Sequence, residues 1–441
     1  MPENTAESVA SRRPWRRGLL WLGFLGPFFF ASYGLSNWLA VRRDDVGSIV
    51  FNWEYQIPFL PWSILPYWSI DLFYGLSLVV ARNRQELDAH AKRLLFAQLV
   101  SCICFIAFPL KFSFDRPQTS GIPGWLFDVL LGFDKPFNQA PSLHISLLVI
   151  LWTFYALYLS GIRLWLLRAI AIVIGLSVLT TCQHHFIDIP TGALVGCIAV
   201  MLFPLTPQTG LTQRDPARFR IGLYYLAGSL ALAATAWTLA GAWFWLMWPG
   251  CALAAMAGIY WLGNAALFRN IGGRMDDAVK VLLAPYLIGA WLNSRLWTYR
   301  NPAPNEITPD LWLSRCPSSA DIRQFNIQAL VSCCPEIAID AKNLPIYSIA
   351  VLDLLAPEIQ QIDQGVAAID AARRHGKTLL FCALGYSRSA TVAVAWLLAH
   401  GLADSIDSAV ARLRGARPGL IVSPKHIRQL ESWQAWRVSA R

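Results

Sequence analysis

Long apolar runs separated by short polar loops fill the first 263 residues of the chain. A helix needs roughly 20 apolar residues to cross the hydrocarbon core of a bilayer. We predict eight spanning helices, at residues 18–40, 57–80, 94–110, 144–161, 164–181, 188–205, 221–240 and 243–263. Many of the 20 tryptophans lie at the ends of these runs, as in the aromatic belts of membrane proteins. The pattern therefore predicts an all-α polytopic membrane domain.

The pattern changes after about residue 300, where short apolar strands alternate with amphipathic helices. The stretches LWLSR, ALVSCC, IYSIAVLD and KTLLFC are typical of buried strands. Two helical patterns between and after them end at Gly376 and Gly401, which suit helix caps. Such alternation predicts a soluble α/β domain with a parallel or mixed sheet covered by helices.

These patterns divide the chain into five parts. We predict a basic N-terminal segment, a transmembrane core of six helices, two additional transmembrane helices, an interfacial helix with a linker, and the α/β domain. Their boundaries are 1–17, 18–205, 206–263, 264–304 and 305–441.

Residues 279–297 are apolar but interrupted by Pro285 and Asn293. We interpret this stretch as a helix lying in the membrane interface. A ninth spanning helix is the alternative, and it would move everything after it across the membrane.

The net charge of +10 comes from arginines and lysines that cluster in the loops between apolar runs. Membrane topology explains this distribution better than nucleic-acid binding, because cytoplasmic loops of membrane proteins are rich in these residues. With eight spans, the basic loops and the C-terminal domain lie in the cytoplasm. The polar clusters at 111–144 and 183–188 then meet on the opposite face. We expect a multi-pass protein of the cell membrane, the inner membrane if the cell is bacterial.

The two polar clusters hold residues suited to phosphoryl transfer. Lys111 and Arg116 can neutralise phosphate oxygens, and Ser142 with nearby helix-start N–H groups can donate hydrogen bonds to them. Ionisable groups at membrane depth are costly, so we interpret these as functional and not as interfacial anchors.

Histidines supply the remaining chemistry. One imidazole can attack phosphorus while the other protonates the leaving oxygen. Asp188 follows His184 by four residues, one helical turn, and can fix its tautomer. His185 could replace His184, although its spacing to Asp188 is three.

The stretches KFSFDRP (111–117), PSLH (141–144) and HHFID (184–188) resemble the motifs of type-2 phosphatidic acid phosphatases. The resemblance implies that His184 forms a phosphohistidine, that His144 is the general acid and that Asp188 orients the nucleophile. Val178 stands where that family has an arginine. In this respect the chain resembles the sphingomyelin and inositol-phosphorylceramide synthases, which transfer a phospho-headgroup to another lipid.

The stretch CALGYSR places Cys382 and Arg388 six positions apart, between a strand and a helix, with Ser389 next. Backbone N–H groups of such a loop form a cradle for a phosphate dianion. The same field favours the thiolate, which is the attacking species. Arg388 can bind two phosphate oxygens. Asp353, 29 residues upstream at a predicted strand end, can protonate the leaving group.

Residues 305–440, including RPGLIVSP, resemble the dual-specificity branch of the protein-tyrosine phosphatases. The resemblance implies a thiophosphate on Cys382, phosphate binding by Arg388 and acid–base roles for Asp353. It also implies that phosphate contacts come from the loop, at Gly385, Ser387 and Ser389. Phe381 stands where the family has a histidine, which predicts weakened activity.

The chain is therefore predicted to be a membrane phosphatase with two phosphate-handling sites, acting on lipid phosphates or phospholipid headgroups. Three alternatives remain: a headgroup transferase, a signalling phosphatase acting on phosphoproteins, and a phospholipid sensor with a degenerate cysteine site. No cofactor and no metal is expected, because both mechanisms use side-chain acids and nucleophiles.

Overall fold

The computed structural model describes residues 13–205, 212–271, 273–339, 341 and 344–439. The chain forms two compact units, residues 1–207 and 208–441, which we call the N-terminal and C-terminal units. Each is described by itself.

The N-terminal unit is helical. Two short 3₁₀ segments, Asn52–Gln56 and Pro61–Ser63, lie between the first two α-helices. The helices are α1 Trp15–Ala40, α2 Ile64–Val80, α3 Arg84–Ala107, α4 Gly121–Phe133, α5 Leu143–Ala156, α6 Gly161–Thr180 and α7 Asp188–Leu202.

Several helix boundaries differ from those predicted. The α3 helix begins ten residues before the predicted 94, because Asn83 caps it by accepting a hydrogen bond from the Glu86 N–H. The predicted span 57–80 starts too early, since Pro58 and Pro61 withhold N–H donors and α2 begins at Ile64. The α4 helix was not predicted at all.

In the described part of the chain, six helical segments are long and apolar enough to cross a membrane by length and composition. They are Trp15–Ala40, Pro61–Val80, Arg84–Ala107, Gly161–Thr180, Ala217–Leu239 and Gly241–Leu262. The predicted spans 144–161 and 188–205 are too long. They fold as α5 and α7, of 14 and 15 residues, and Pro204 follows soon after α7 ends.

Glycines bring α5 and α7 into close contact. A Cβ atom on Gly192 would lie 2.4 Å from the Ser142 carbonyl oxygen, and one on Gly196 would lie 2.8 Å from that of Ser146. The Ser142 N–H donates to the Asp188 carbonyl, 3.1 Å away. The start of α7 is thereby fixed beside the start of α5, where the predicted histidine site lies.

The C-terminal unit begins with α8 Ala217–Leu239, a 3₁₀ segment Gly241–Leu246 and α9 Met247–Leu262. A small antiparallel hairpin follows, made of β1 Asn270–Ile271 and β2 Arg274–Met275. The α10 helix, Asp277–Trp297, covers the segment predicted to be interfacial and contains Pro285.

A five-stranded mixed sheet forms the centre of the α/β domain. Its strands are β3 Asn305–Thr308, β4 Leu311–Arg315, β5 Ala329–Ser332, β6 Ile346–Ser348 and β7 Thr378–Cys382, in the order β3-β4-β7-β5-β6. Only β3, which was not predicted, runs antiparallel to its neighbour. The helices are α11 Ser319–Gln324, α12 Ile359–Arg373, α13 Arg388–Ala399, α14 Ile406–Ala416 and α15 Pro424–Ser439.

The central strand β7 carries the cysteine loop at its carboxyl end. Ligands of open α/β sheets bind at this edge. The predicted strand IYSIAVLD is wrong in its second half, because β6 stops at Ser348 and Asp353 lies in the loop that follows.

Candidate active sites

Cys382 ends β7 and begins a turn into α13. Its thiol is 2% exposed, and the buried residues Leu379, Leu380 and Phe381 fix the strand below it. The sulfur accepts hydrogen bonds from the Gly385 N–H at 3.2 Å and from the Ser389 hydroxyl at 3.2 Å. Two donors directed at one sulfur stabilise a thiolate.

Arg388, the first residue of α13, lies fully inside a charged cluster. Its guanidinium donates to both carboxylate oxygens of Glu336, at 3.0 and 2.5 Å, and to the Val351 carbonyl at 2.9 Å. The Asp353 carboxylate lies 3.0 Å from the same guanidinium. Burial lowers the pKa of Arg388, but the two carboxylates more than offset this, so its pKa lies well above its ordinary value.

Asp353 is close to the cysteine loop although it does not end a strand. Its side chain is 36% exposed, and its contact with Arg388 sets it beside the phosphate cradle. A partly exposed carboxyl at this position can exchange a proton with a leaving group or with water.

Two further buried residues, Glu336 and Arg417, support this site, and neither was predicted to contribute. The buried Arg417 guanidinium donates to the carbonyls of Gly385 and Leu384, at 3.1 and 3.3 Å. Its pKa is lowered by burial. Arg417 therefore holds the cysteine loop through two of its carbonyls. Phe381, which precedes the nucleophile, is buried in the core and has no polar side-chain group that could do this.

Ser387 is held from the other side of the loop. Its hydroxyl lies 2.8 Å from the Nε2 atom of His426, whose Nδ1 accepts from the Ser423 N–H at 3.2 Å. Burial lowers the pKa of His426, which favours the neutral ring that donates to Ser387.

Gly385 is required by both space and backbone conformation. Its φ is +72°, and a Cβ atom would lie 2.3 Å from the Ser314 carbonyl. We expect Gly385→Ala to displace the loop and lower kcat on p-nitrophenyl phosphate by about 100-fold, as a misplacement near 1 Å does.

Gly401 offers a matched control for this substitution. Its φ is +65°, but nothing lies within 4 Å of the added Cβ. Gly401→Ala should cost some stability and leave kcat within twofold. Equal kcat values for the two variants would contradict the proposed cradle.

Glu336 forms a buried ion pair with Arg388, and its removal takes away two hydrogen bonds from that guanidinium. We expect Glu336→Ala to lower the free energy of unfolding by about 3–5 kcal/mol, because breaking a buried ion pair strands a charge. Chemical denaturation of the full chain in detergent measures this, with the exposed Glu306→Ala as control. A loss equal to that of the control would contradict the structural role of Glu336.

In the N-terminal unit, His184 joins Ser142 and Asp188. Its Nδ1 atom lies 3.1 Å from the Asp188 carboxylate, and its Nε2 atom lies 3.2 Å from the Ser142 hydroxyl. The contact with Asp188 was predicted for the wrong reason. His184 precedes α7 in a turn, and Asp188 is the first residue of that helix.

His185 is engaged at both ring nitrogens. Its Nδ1 atom lies 3.1 Å from the Glu54 carboxylate, and its Nε2 atom accepts from the Ser113 N–H at 3.2 Å. This ring holds three segments together and has no nitrogen left to attack phosphorus. Glu54 is far away in sequence and was not predicted to contribute.

A cavity of about 140 Å³ opens beside the His184 ring. Arg116 and Asp134 line it with His184, and the Arg116 guanidinium lies 4.4 Å from the centre of the Phe127 ring. Asp134 was not predicted. It accepts a hydrogen bond of 2.7 Å from the Tyr33 hydroxyl, and burial raises its pKa.

The other predicted residues of this cluster lie differently. Lys111 is exposed and is not among the residues that line the cavity. The His144 ring stacks on Tyr67 with 4.2 Å between ring centres, and its buried Nε2 atom has no hydrogen-bond partner among the residues that the structure describes. A buried polar atom without a partner is costly, which suits an atom that meets a ligand.

Val178 is fully buried in an apolar cluster with Ile64, Tyr67 and Ile145. Its carbonyl accepts from the His184 N–H at 3.1 Å. Position 178 therefore contributes an apolar side chain and a backbone carbonyl to this site, and not the guanidinium of an arginine. Within the described residues, no group of three histidine, cysteine or carboxylate side chains could hold a metal ion.

Comparison with known proteins identifies the domain that carries the cysteine loop. Residues 311–435 match the family model described as the dual specificity phosphatase, catalytic domain. This part of the chain is a dual-specificity phosphatase domain. The prediction of a cysteine-phosphatase fold in the C-terminal α/β domain is thereby confirmed for residues 311–435. The match does not reach the helical region, so its resemblance to type-2 phosphatidic acid phosphatases stays a prediction.

Solved structures match about a third of the chain. Human DUSP28 is 22% identical and PTPMT1 is 17% identical. Each match covers 31% of this chain and 99% of the other, with TM-scores of 0.29 and 0.28. A structure of PTPMT1 in complex with PI(5)P matches with 16% identity, 31% and 97% coverage and a TM-score of 0.28. Among curated proteins, none matches this chain.

Proposed function

We propose that this chain is an integral membrane enzyme with two phosphate-handling sites. One is a cysteine-based phosphomonoesterase in the phosphatase domain. The other is a histidine-based lipid phosphatase or phosphotransferase in the N-terminal unit. The observation that carries the proposal is the pair of donors directed at the Cys382 sulfur, next to an arginine and a carboxylate.

At the cysteine site, the Cys382 thiolate attacks phosphorus and the ester P–O bond breaks. Protonated Asp353 gives its proton to the departing alkoxide, while Arg388 and the loop N–H groups bind the phosphoryl oxygens. Water then attacks phosphorus and transfers a proton to the Asp353 carboxylate. The S–P bond breaks, inorganic phosphate leaves, and Ser389 stabilises the returning thiolate by the hydrogen bond it already donates.

At the histidine site, the Nε2 atom of His184 attacks phosphorus while Asp188 holds the proton on Nδ1. His144 protonates the leaving oxygen, and Arg116 and Ser142 are the phosphate-binding groups, while Lys111 lies outside the cavity lining. Water or a second lipid hydroxyl then attacks phosphorus and gives its proton to His144, which lost its own in the first step, and the N–P bond to His184 breaks. The unpartnered Nε2 atom of His144 and the cavity beside His184 support this assignment.

Headgroup transfer is the second candidate for the histidine site. Val178, buried among apolar residues, leaves no arginine where the phosphatases have one. The two outcomes differ in product, because transfer yields a new phospholipid and hydrolysis yields inorganic phosphate.

Asp353→Asn tests the cysteine mechanism. An amide cannot donate a proton as an acid, so we expect kcat/KM on an alkyl phosphate, which reports formation of the thiophosphate and not its hydrolysis, to fall by about 10²–10⁴-fold. The fall on p-nitrophenyl phosphate should be much smaller, because p-nitrophenolate leaves without help. The exposed Asp404→Asn is the control and should change neither rate. Equal losses on both substrates would remove Asp353 from the role of acid.

A further inference from the structure

The α10 helix has two different faces. One face is buried within the C-terminal unit and consists of Val279, Leu282, Leu283 and Ser294. The opposite face carries large apolar side chains that remain exposed, namely Val281, Ile288, Trp291 and Leu292, and Leu296 and Trp297 are exposed at the carboxyl end of the helix. An exposed apolar face of this size on a helix is typical of an element that lies in a membrane interface.

The carboxyl end of α10 adds cations to this apolar face. The Arg295 guanidinium lies 5.3 Å from the centre of the Trp291 ring, and that of Arg300 lies 5.3 Å from the centre of the Tyr299 ring. Arginine beside tryptophan and tyrosine is the composition found where protein meets lipid headgroups. This end of the helix therefore fits an anionic lipid surface.

The same helix holds the cysteine loop. The Ser294 hydroxyl donates to the carbonyl of Ala383, the residue after the nucleophile, at 2.5 Å. One residue on, Arg295 donates to the Cys316 carbonyl at 3.0 Å. The cysteine loop is thus fixed directly beside the helix whose other face is apolar and exposed.

The loop that carries Asp353 is also held by the apolar helices α8 and α9. The Tyr260 hydroxyl, from α9, donates to the Asp353 carbonyl at 2.9 Å. Gln213 accepts from the Leu352 N–H at 2.9 Å. The Tyr225 ring of α8 lies 5.4 Å from that of Tyr260, so both helices contribute to this anchor.

We propose that the substrate of the cysteine site is a membrane lipid with a terminal phosphate monoester, whose acyl chains stay in the bilayer beside α10. This inference rests on the proposed function of Cys382. Water hydrolyses the P–O bond, and the products are the lipid alcohol, which stays in the membrane, and inorganic phosphate. A soluble phosphoprotein gains nothing from the exposed apolar face of α10.

The test uses the full chain carrying His184→Ala, so that only the cysteine site acts. Phosphatidate in mixed micelles, a phosphotyrosine peptide and p-nitrophenyl phosphate are offered to it. We expect phosphatidate to be preferred over the peptide by at least tenfold in kcat/KM. Its rate should follow the mole fraction of phosphatidate in the micelle surface and not its bulk concentration.

The double variant Ile288→Gln with Leu292→Gln then removes apolar contact from the exposed face of α10. We expect at least a tenfold loss on phosphatidate with less than a twofold change on p-nitrophenyl phosphate. Val438→Gln, at an exposed apolar position of α15, is the matched control and should change neither rate.

The outcomes separate this inference from the proposed function. Turnover of p-nitrophenyl phosphate that requires Cys382, with equal rates on the peptide and phosphatidate, overturns only the lipid assignment. An unchanged rate on phosphatidate in the Ile288→Gln, Leu292→Gln variant also overturns the lipid assignment alone. If no substrate is turned over in a way that requires Cys382, both the lipid assignment and the proposed function of Cys382 are wrong.

Discussion

Cys382→Ser is expected to abolish phosphate release at the phosphatase domain, with a loss on the order of 10⁴–10⁶-fold in kcat. A serine hydroxyl is far less acidic than a thiol, so the hydrogen bonds from Gly385 and Ser389 cannot maintain it as an anion. The loop itself should keep its shape, because the two side chains have nearly the same size. Hydrolysis of p-nitrophenyl phosphate by the full chain in detergent measures this effect.

Cys251→Ser provides the control for that substitution. Cys251 lies in α9, outside the cysteine loop, and its replacement should leave the rate within twofold. Wild-type turnover by Cys382→Ser would remove the cysteine from the mechanism. The phosphatase domain would then need another nucleophile.

His184→Ala is expected to cost about 10⁴-fold in the reaction of the N-terminal unit, the scale of losing a nucleophile and its base contacts. Alanine removes the ring that connects Ser142 with Asp188 through its two nitrogens. Asp188→Asn should cost less, because the ring remains but loses its preferred tautomer. Both variants are compared on phosphatidate in a chain that also carries Cys382→Ser.

His400→Ala is the matched substitution for this series. His400 is exposed and belongs to the phosphatase domain, where its ring lies 2.9 Å from Asp370. Its replacement should leave phosphatidate turnover unchanged. If His184→Ala also leaves it unchanged, the histidine site has no part in lipid phosphate chemistry.

The sequence was informative where function depends on neighbours along the chain. The loop between Cys382 and Arg388 lies between an apolar strand and a small-residue helix, so its position could be predicted. The proximity of His184 and Asp188 could be predicted for a similar reason, although a turn and not a helix creates it.

Contacts between distant parts of the chain could not be predicted in this way. Glu336 meets Arg388 across 52 positions, and Glu54 meets His185 across 131. Nothing in the spacing of either residue indicates its partner, because the fold alone brings them together. The α4 helix was missed since Gly121, Pro123 and Gly124 at its start are typical of a loop.

Analysis of all phosphorus-containing products from labelled phosphatidate tests the central claim most directly. Wild type, Cys382→Ser, His184→Ala and the double variant are measured with and without a lipid-alcohol acceptor. We predict that each single variant keeps part of the turnover and that the double variant keeps none. A double variant with wild-type turnover, or one single variant that loses all of it, would contradict two independent phosphate-handling sites.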